Sequence, residues 1–336
     1  MLHSPAKADP RTVQAGAAAN VVRRIGFCLV PDFSFIAFAS AIEPLRLANR
    51  HCNTQHYAWH LLSDDGLPVT ASNGVSLAVD GAVAEAGPLH MLLVAAGIDV
   101  EQQDHTALIR ELRRRAVLGA KIGALCTGAH ILARGGLLDG HRATIHWENR
   151  IGLQSAFPQL SISEELFEID RNRLTCAGGT AALDMMLSLI TSDLGIDVAS
   201  AVTDQLIHHR IRDKSEVQRT TLQTRHGVAQ PRMIAIVQRM QTSIDAPLSC
   251  SRLAREAGIS VRQLERMFRR AFAQTPARYY LNMRLDHARR LLRQTSMSVI
   301  DVSLATGFES ASHFSKSYGS HFGVSPSSDR TANAPA

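Results

Sequence analysis

The feature that most constrains this chain is a repeat in its last hundred residues. Ser260-Val-Arg-Gln-Leu264-Glu-Arg266-Met-Phe268-Arg-Arg-Ala-Phe272-Ala-Gln-Thr275-Pro276 returns at an offset of 50 as Ser310-Ala-Ser-His-Phe314-Ser-Lys316-Ser-Tyr318-Gly-Ser-His-Phe322-Gly-Val-Ser325-Pro326. Just upstream, Leu253, Ala254, Ala257, Gly258 and Ile259 answer Val302, Ser303, Thr306, Gly307 and Phe308 at an offset of 49. A repeat carrying the same turn and core chemistry predicts one supersecondary unit used twice.

The physics of each copy is that of a helix-turn-helix. A short helix stops at Gly258 or Gly307, where a residue without Cβ takes the left-handed turn. Ile259 or Phe308 plugs the angle between the helices. Ser260 or Ser310 caps the second helix, and Gln263 completes a capping box in the first copy. Leu264, Phe268 and Phe272, like Phe314, Tyr318 and Phe322, recur every four residues and face the core. That leaves Arg262, Glu265, Arg266 and Arg269 outward in one copy, and Ser312, His313, Ser315 and Lys316 in the other. These side chains can bond base edges and phosphates.

Pro276 opens a helix predicted over 277–293, about 25 Å long at 1.5 Å per residue. It can hold two reading helices about one duplex turn (~34 Å) apart once helix widths are added. Charge agrees. Residues 232–330 hold 15 Lys+Arg against 7 Asp+Glu, a net of +8, while residues 1–231 hold 21 against 23, a net of −2. The overall +6 therefore sits on one segment, as a polyanion partner requires. A helical protein–protein module is the alternative, and the repeat and the polar outward faces weigh against it.

Residues 249–330 resemble the AraC/XylS-type DNA-binding domain. The resemblance rests on L-A-x-x-A-G-I-S-x-R-x-L-x-R-x-F, T-P-A-R-Y-Y-L-x-x-R-L-x-x-A-R-x-L-L and G-F-x-S-x-S-x-F-S-K-x-Y-x-x-x-F-G-V-S-P. It implies that Arg262, Glu265 and Arg266, with Gln263 and Arg269 beside them, meet one major-groove segment. Ser312, His313, Ser315 and Lys316 meet the next. It also implies operator DNA and RNA polymerase as partners. The ending Ser-Pro-Ser-Ser-Asp329-Arg330 departs from the common P-x-x-Y-R, which puts a local cap in doubt.

The first two hundred residues alternate strand and helix. Apolar runs at 25–30, 59–63, 90–95, 121–125 and 173–176 read as strands. Stretches at 38–49, 104–117, 128–134, 183–194 and 199–211 read as helices. Alternation of this kind predicts an α/β domain with a parallel sheet and helices on both faces. The informative stretch is Ile122-Gly-Ala-Leu125-Cys126-Thr127-Gly128-Ala-His130. A strand runs straight into a helix with Cys126 at the corner, as in a nucleophile elbow. The helix start would lower the thiol pKa and could hold an anion. His146, twenty residues on, is a possible imidazole partner, and a Cys–His pair would suggest acyl transfer. Cys is also a frequent small buried residue.

This region, 23–212, resembles the ThiJ/PfpI, class I glutamine amidotransferase-like fold, and more closely the sensor half of AraC-type regulators that carry it. V-P-x-F-S, A-I-E-P-L-R-x-A-N, C-T-G-A-x-x-L-A-R-x-G-L-L-D-G, A-T-I-H-W-E and T-C-A-G-G-T-A-A-L-D-M-M carry the resemblance. It implies a flavodoxin-like sheet. Enzymes of the fold often place Gly-Gly where this chain reads Ala95-Ala96-Gly97, and a carboxylate in the loop that here reads Pro31-Asp32-Phe33-Ser34-Phe35. These departures point to a ligand pocket at a vestigial elbow (Cys126, His146) rather than to catalysis. The most similar regulators respond to arginine, glycine betaine or carnitine. Phe33, Phe35 or Trp147 could face a cation and Glu43 balance its charge. Cys126, Thr127 and His146 would complete the site, with a carboxylate at the helix start.

Length fits two domains at roughly 150 residues each. The expected division is a flexible leader (1–20), a sensor and dimerisation domain (21–212), a polar linker (213–231) partly helical toward Arg225, a DNA-binding domain (232–330) opened by a helix at 233–244, and a tail (331–336). No apolar run reaches the ~18 residues of a membrane span. Five scattered Cys without a C-x-x-C pair argue for a reducing cytoplasm, no disulfide framework and no structural metal. No cofactor is expected. A homodimer, a small-molecule effector and DNA are the expected partners. A Cys-dependent amidase or glyoxalase-like enzyme, or a domain used only for dimerisation, are the rival readings.

Overall fold

The structure, a computed structural model, describes residues 21–216, 218, 231–295 and 297–331. The expected leader, most of the linker with its helix toward Arg225, and nearly all of the tail lie outside the described residues.

A seven-stranded sheet organises the first domain, in the order β10-β11-β7-β6-β1-β2-β5. Its strands are β1 (Arg23–Leu29), β2 (Tyr57–Ser63), β5 (Gly81–Ala82), β6 (Met91–Ala96), β7 (Lys121–Cys126), β10 (Phe167–Asp170) and β11 (Arg173–Cys176). All neighbours pair in parallel except β10 with β11. The expected parallel sheet is thus mixed at one edge. A four-residue antiparallel strand made by a tight hairpin gives no helix-length signal between it and its partner. The short pairs β3 (Val69–Thr70) with β4 (Ser76–Leu77) and β8 (Arg142–Ala143) with β9 (Ser161–Ile162) lie outside this sheet.

The central strands are apolar throughout because both faces are covered. Phe27, Leu29, Leu93, Ala95 and Leu125 face a core closed by α1 (Phe35–Cys52), α5 (Ala181–Leu194) and α6 (Ile196–Gln205). Cys28, Val30, Leu92, Val94 and Ala124 face the opposite core, closed by α2 (Thr106–Val117), α3 (Ala129–Arg134) and α4 (Arg150–Ala156). The helix expected to Ile211 stops at Gln205, and Ile207 follows with φ +54. α4 carried no periodic signal.

The second domain is helical. Its elements are α7 (Pro231–Gln241), α8 (Cys250–Glu256), α9 (Val261–Phe272), α10 (Pro276–Gln294), α11 (Val299–Ala305), α12 (Ala311–Phe322) and α13 (Pro326–Thr331). Two cores form on one long helix. Leu253, Leu264, Phe268 and Tyr280 close the first with α7. Leu285, Leu291, Val302, Phe308, Phe314 and Tyr318 close the second. Each turn is built as the repeat implied. Ser260 Oγ accepts from Gln263 N while Gln263 Oε1 accepts from Ser260 N, at 3.2 and 2.9 Å. Ser310 Oγ accepts from His313 N. Gly258 and Gly307 take φ +65 and +71.

One feature corrects the sequence reading. Asp329 does more than cap locally. It is 3% exposed and accepts from Tyr318 Oη at 2.5 Å, Arg289 Nε at 2.8 Å and Arg293 Nη2 at 2.6 Å, tying α10, α12 and α13 together. The two domains also touch. Ile151 of α4 packs on the second helical core, and a Cβ on Gly152 would stand 3.0 Å from Gln294 Cβ.

Candidate nucleic-acid interface and elbow site

On α9 the buried stripe of Leu264 and Phe268 turns Arg262, Gln263, Arg266 and Arg269 to solvent, with Glu265 half-buried. Gln263 spends its carbonyl oxygen on the cap, which leaves its amide NH2 for another partner. On α12 Phe314 and Tyr318 face inward. Ser312, His313 and Lys316 are exposed and Ser315 is half-buried. The His313 ring meets Phe308 edge-on at 5.6 Å, so the turn residue steadies an outward imidazole. Each outward set therefore lies on one face of one capped helix. Arg270 and Arg278 are exposed as well and were not singled out from the sequence. Their positions past the core stripe carried no distinguishing signal.

The elbow lies at the carboxyl edge of the sheet, where open α/β folds bind ligands. Cys126 ends β7 with φ +60, a left-handed conformation strained for a residue with a Cβ. Three glycines allow the crowding around it. A Cβ on Gly178 would come within 2.6 Å of Cys126 Cβ, one on Gly128 within 2.6 Å of the Val94 carbonyl, and one on Gly97 within 2.0 Å of the Asp32 carbonyl. Thr127 Oγ1 donates to the Gly97 carbonyl at 2.6 Å. Ser34 N donates to the Ala96 carbonyl and Ile98 N to that of Asp32. The loops after β1 and β6 are thus stitched together beside the thiol.

This enclosure reverses the expected chemistry. Burial pushes the Cys126 thiol up to about 12, and the neighbouring Cys176 and Glu148 add to the rise. The amides of Gly128, His130 and Ile131 already bond the carbonyls of Leu125, Thr127 and Gly128. The helix start therefore offers none of these donors to an anion, and the lowering that the Thr127 backbone amide gives the thiol is outweighed by burial. His146 does not hydrogen-bond Cys126 among the described residues; its Nδ1 stands 3.8 Å from Glu148 Oε2. Burial pulls its pKa below the usual imidazole value, with Glu148 partly offsetting. The Cys–His pair is not assembled. Asp32 is not among the charges acting on the thiol.

The remaining pocket residues disperse. Phe33 is fully buried and packs edge-on against Phe38 at 5.9 Å, so it offers no face to a cation. Phe35 is half-buried beside it. Glu43 is paired with Arg46 at 2.6 Å, which already balances its charge. The Trp147 ring lies tilted against His146 at 5.5 Å and 5.9 Å under the Arg290 guanidinium of α10.

The comparisons agree with both halves. A helix-turn-helix domain model matches residues 253–332, and a DJ-1/PfpI family model matches residues 23–192. The HTH-type transcriptional regulator CdhR of Pseudomonas aeruginosa is 46% identical over 92% of this chain and 93% of its own length. The HTH-type transcriptional regulator GbdR of the same species is 42% identical over 91% of this chain and 83% of its own. The crystal structure of an AraC family transcriptional regulator from Pseudomonas putida is 31% identical, with a TM-score of 0.52, over 55% of this chain and 99% of that one.

This chain belongs to the AraC-type helix-turn-helix regulators that carry a DJ-1/PfpI domain. Regulators of this type bind DNA, which accounts for the +8 segment and the outward arginines. Within this AraC-type chain, sequence reading missed three residues near the elbow. Asp184 is fully buried on α5, and Arg212 and His208 reach it from beyond α6. The His208 Nε2 lies 3.2 Å from Asp184 Oδ1. Gln218, expected in the linker, donates to Thr144 and Ile145. The Gly178-Gly179 pair after β11 is the sequence signal that marks this neighbourhood.

Among the described residues no helix is long and apolar enough to cross a membrane, and no group of His, Cys, Asp and Glu is arranged to hold a metal.

Proposed function

We propose that this regulator activates transcription in response to a small amino acid or quaternary amine of the arginine, glycine betaine or carnitine type. The DNA-binding domain reads an operator with α9 and α12. Arg262, Gln263, Glu265, Arg266 and Arg269 serve one half and Ser312, His313, Ser315 and Lys316 the other. The elbow around Cys126, Thr127, His146 and Trp147 is the effector site. It works as a homodimer with RNA polymerase as its downstream partner, in the cytoplasm. The observation that carries the reading is the pairing of two capped, outward-charged helices with an elbow whose thiol is buried rather than activated.

Two measurements test it. Arginine, glycine betaine and carnitine should be screened by thermal shift. One of them should raise the Tm, since a ligand at a hundred times its Kd adds about 2.7 kcal/mol of stability. No rise with any would sink the sensing assignment. In a gel shift, Arg266→Ala with Lys316→Ala should abolish specific retardation, and an unchanged shift would sink the DNA-reading assignment. The strained corner at Cys126 favours one rival, a Cys-dependent hydrolase or glyoxalase-like enzyme. That rival requires turnover that vanishes in Cys126→Ala. Our reading expects no turnover by the wild-type protein.

A further inference from the structure

Past α6, where the DJ-1/PfpI match has already ended at residue 192, the chain turns back along the first domain. Residues 208–216 and Gln218 make a continuous series of polar contacts with it. At one end the fully buried Asp184 carboxylate accepts from Arg212 N at 2.7 Å, Nε at 2.9 Å and Nη2 at 2.6 Å, with His208 Nε2 at 3.2 Å. Arg212 Nη2 also donates to Thr180 Oγ1 at 2.7 Å. In the middle, Leu166 N donates to the Lys214 carbonyl at 2.9 Å, and Lys214 Nζ stands 3.6 Å from Glu168. At the far end, Gln218 Nε2 donates to Thr144 Oγ1, the Ile145 carbonyl and the Glu165 carbonyl, each within 3.0 Å.

Both ends rest on loops of the elbow. Thr180 follows Gly178, whose Cα position is pressed against Cys126. Thr144 and Ile145 lead directly into His146 and Trp147, and Trp147 lies under Arg290 of the DNA-binding domain. Cys126 is 9% exposed, so anything that reaches it must part the loops that cover it. Parting the Gly178 loop moves the Thr180 hydroxyl that Arg212 holds.

The two ends differ in strength. Asp184 is a buried charge whose Oδ2 takes two guanidinium donors and whose Oδ1 takes a backbone donor, and releasing it would strand an uncompensated carboxylate. At the Gln218 end the buried Gln218 Oε1 has no hydrogen bond, and Glu165 Oε2 has only the Lys214 ammonium, 3.8 Å away. An unmet buried acceptor weakens the closed arrangement. The series is firm where it holds Asp184 and Thr180 and looser at Gln218, the end that leads on to the interdomain connection.

We propose that residues 208–216 and Gln218 form a strap that carries the state of the elbow to the interdomain connection. Asp184, Arg212 and Gln218 are its positioning residues. The strap is the element whose equilibrium an occupied elbow shifts, and it does so because the same loops bear on both. Its use in effector sensing rests on the reading of the elbow as a ligand site, but the mechanical link does not.

Hydrogen exchange on the full chain, read by mass spectrometry, tests the link without a ligand. Asp184→Asn should speed exchange about tenfold or more in peptides covering 208–216, and equally in those covering 143–149 and 176–181, while β6 and β7 stay protected. Gln218→Ala, which leaves Asp184 in place, should speed only 143–149 and the Leu166 amide. It keeps the test alive if Asp184→Asn does not fold, and Arg212→Lys should restore part of the protection that Arg212→Met loses. Faster exchange confined to 208–216, with both elbow loops unchanged, overturns the strap. A thermal-shift screen that finds no effector would overturn the sensing assignment and leave this exchange pattern standing.

Discussion

At Cys126 the identity of the residue and its environment point in opposite directions. A thiol at a strand-to-helix corner is the usual arrangement for a nucleophile, yet reactivity follows the thiolate fraction, and burial holds this thiol at about 12. Iodoacetamide at pH 7.5 should therefore modify the half-buried Cys52 and Cys250 first and leave Cys126 nearly untouched. Preferential alkylation of Cys126, read by peptide mapping, would contradict this environment. Asp329 makes the opposite case, a residue that looks incidental and is not. Burial alone would raise its pKa, but bonds from Tyr318, Arg293 and Arg289 hold it at about 2. A carboxyl depressed in the folded state contributes stability that is complete above its unfolded pKa of about 4 and is lost as pH falls toward 2. Asp329→Ala should cost about 3 kcal/mol at pH 7, since it leaves two guanidinium groups without their partner. It should also flatten the acid limb of the stability curve. An unchanged urea midpoint at pH 7 would show that the cluster contributes nothing.

At the scale of elements, the two helix-turn-helix copies share sequence logic but not surroundings. Gly258 and Gly307 both sit at positive φ, so alanine is strained at either, by roughly 1–2 kcal/mol. A Cβ at Gly258 meets nothing within 4 Å, whereas one at Gly307 would strike Pro247 Cδ at 2.4 Å and the Ile244 carbonyl at 2.7 Å. Gly307→Ala should therefore cost about 2 kcal/mol more than Gly258→Ala in urea unfolding. Equal costs would refute the close approach of the two copies. The same contrast explains what could be read in advance. Caps, the apolar stripe of α9 and the elbow are local: their partners lie within four residues, or in one strand and the helix that follows. The close approach of Gly307 to Pro247, the reach of Arg212 back to Asp184 and the Tyr318–Asp329 bond are set by tertiary packing. Nothing in local periodicity points to them. The two-residue strands β3, β4, β8 and β9 are too short to carry alternation. Phe33 has the composition of a ligand face, and only the fold reveals that its ring is inside. The Cys126–His146 pair failed for a related reason: twenty residues of sequence do not fix the direction in which an imidazole points.

At the scale of the whole molecule, the uneven charge maps onto a division of labour. The net −2 region holds an α/β domain covered on both faces, and the net +8 region holds two helix-turn-helix units on one shared helix. α10 spans 19 residues, roughly 28 Å at 1.5 Å per residue. That length supports two base-reading helices addressing successive major-groove segments from one protein chain. Selection and sequencing of random DNA duplexes by the full-length protein tests this central claim most directly. The account predicts an enriched motif of two blocks with centres about 10 base pairs apart. Arg262→Ala with Arg266→Ala should erase one block, and His313→Ala with Lys316→Ala the other. No enrichment by the wild-type protein, or a single motif that neither pair of substitutions alters, would contradict it.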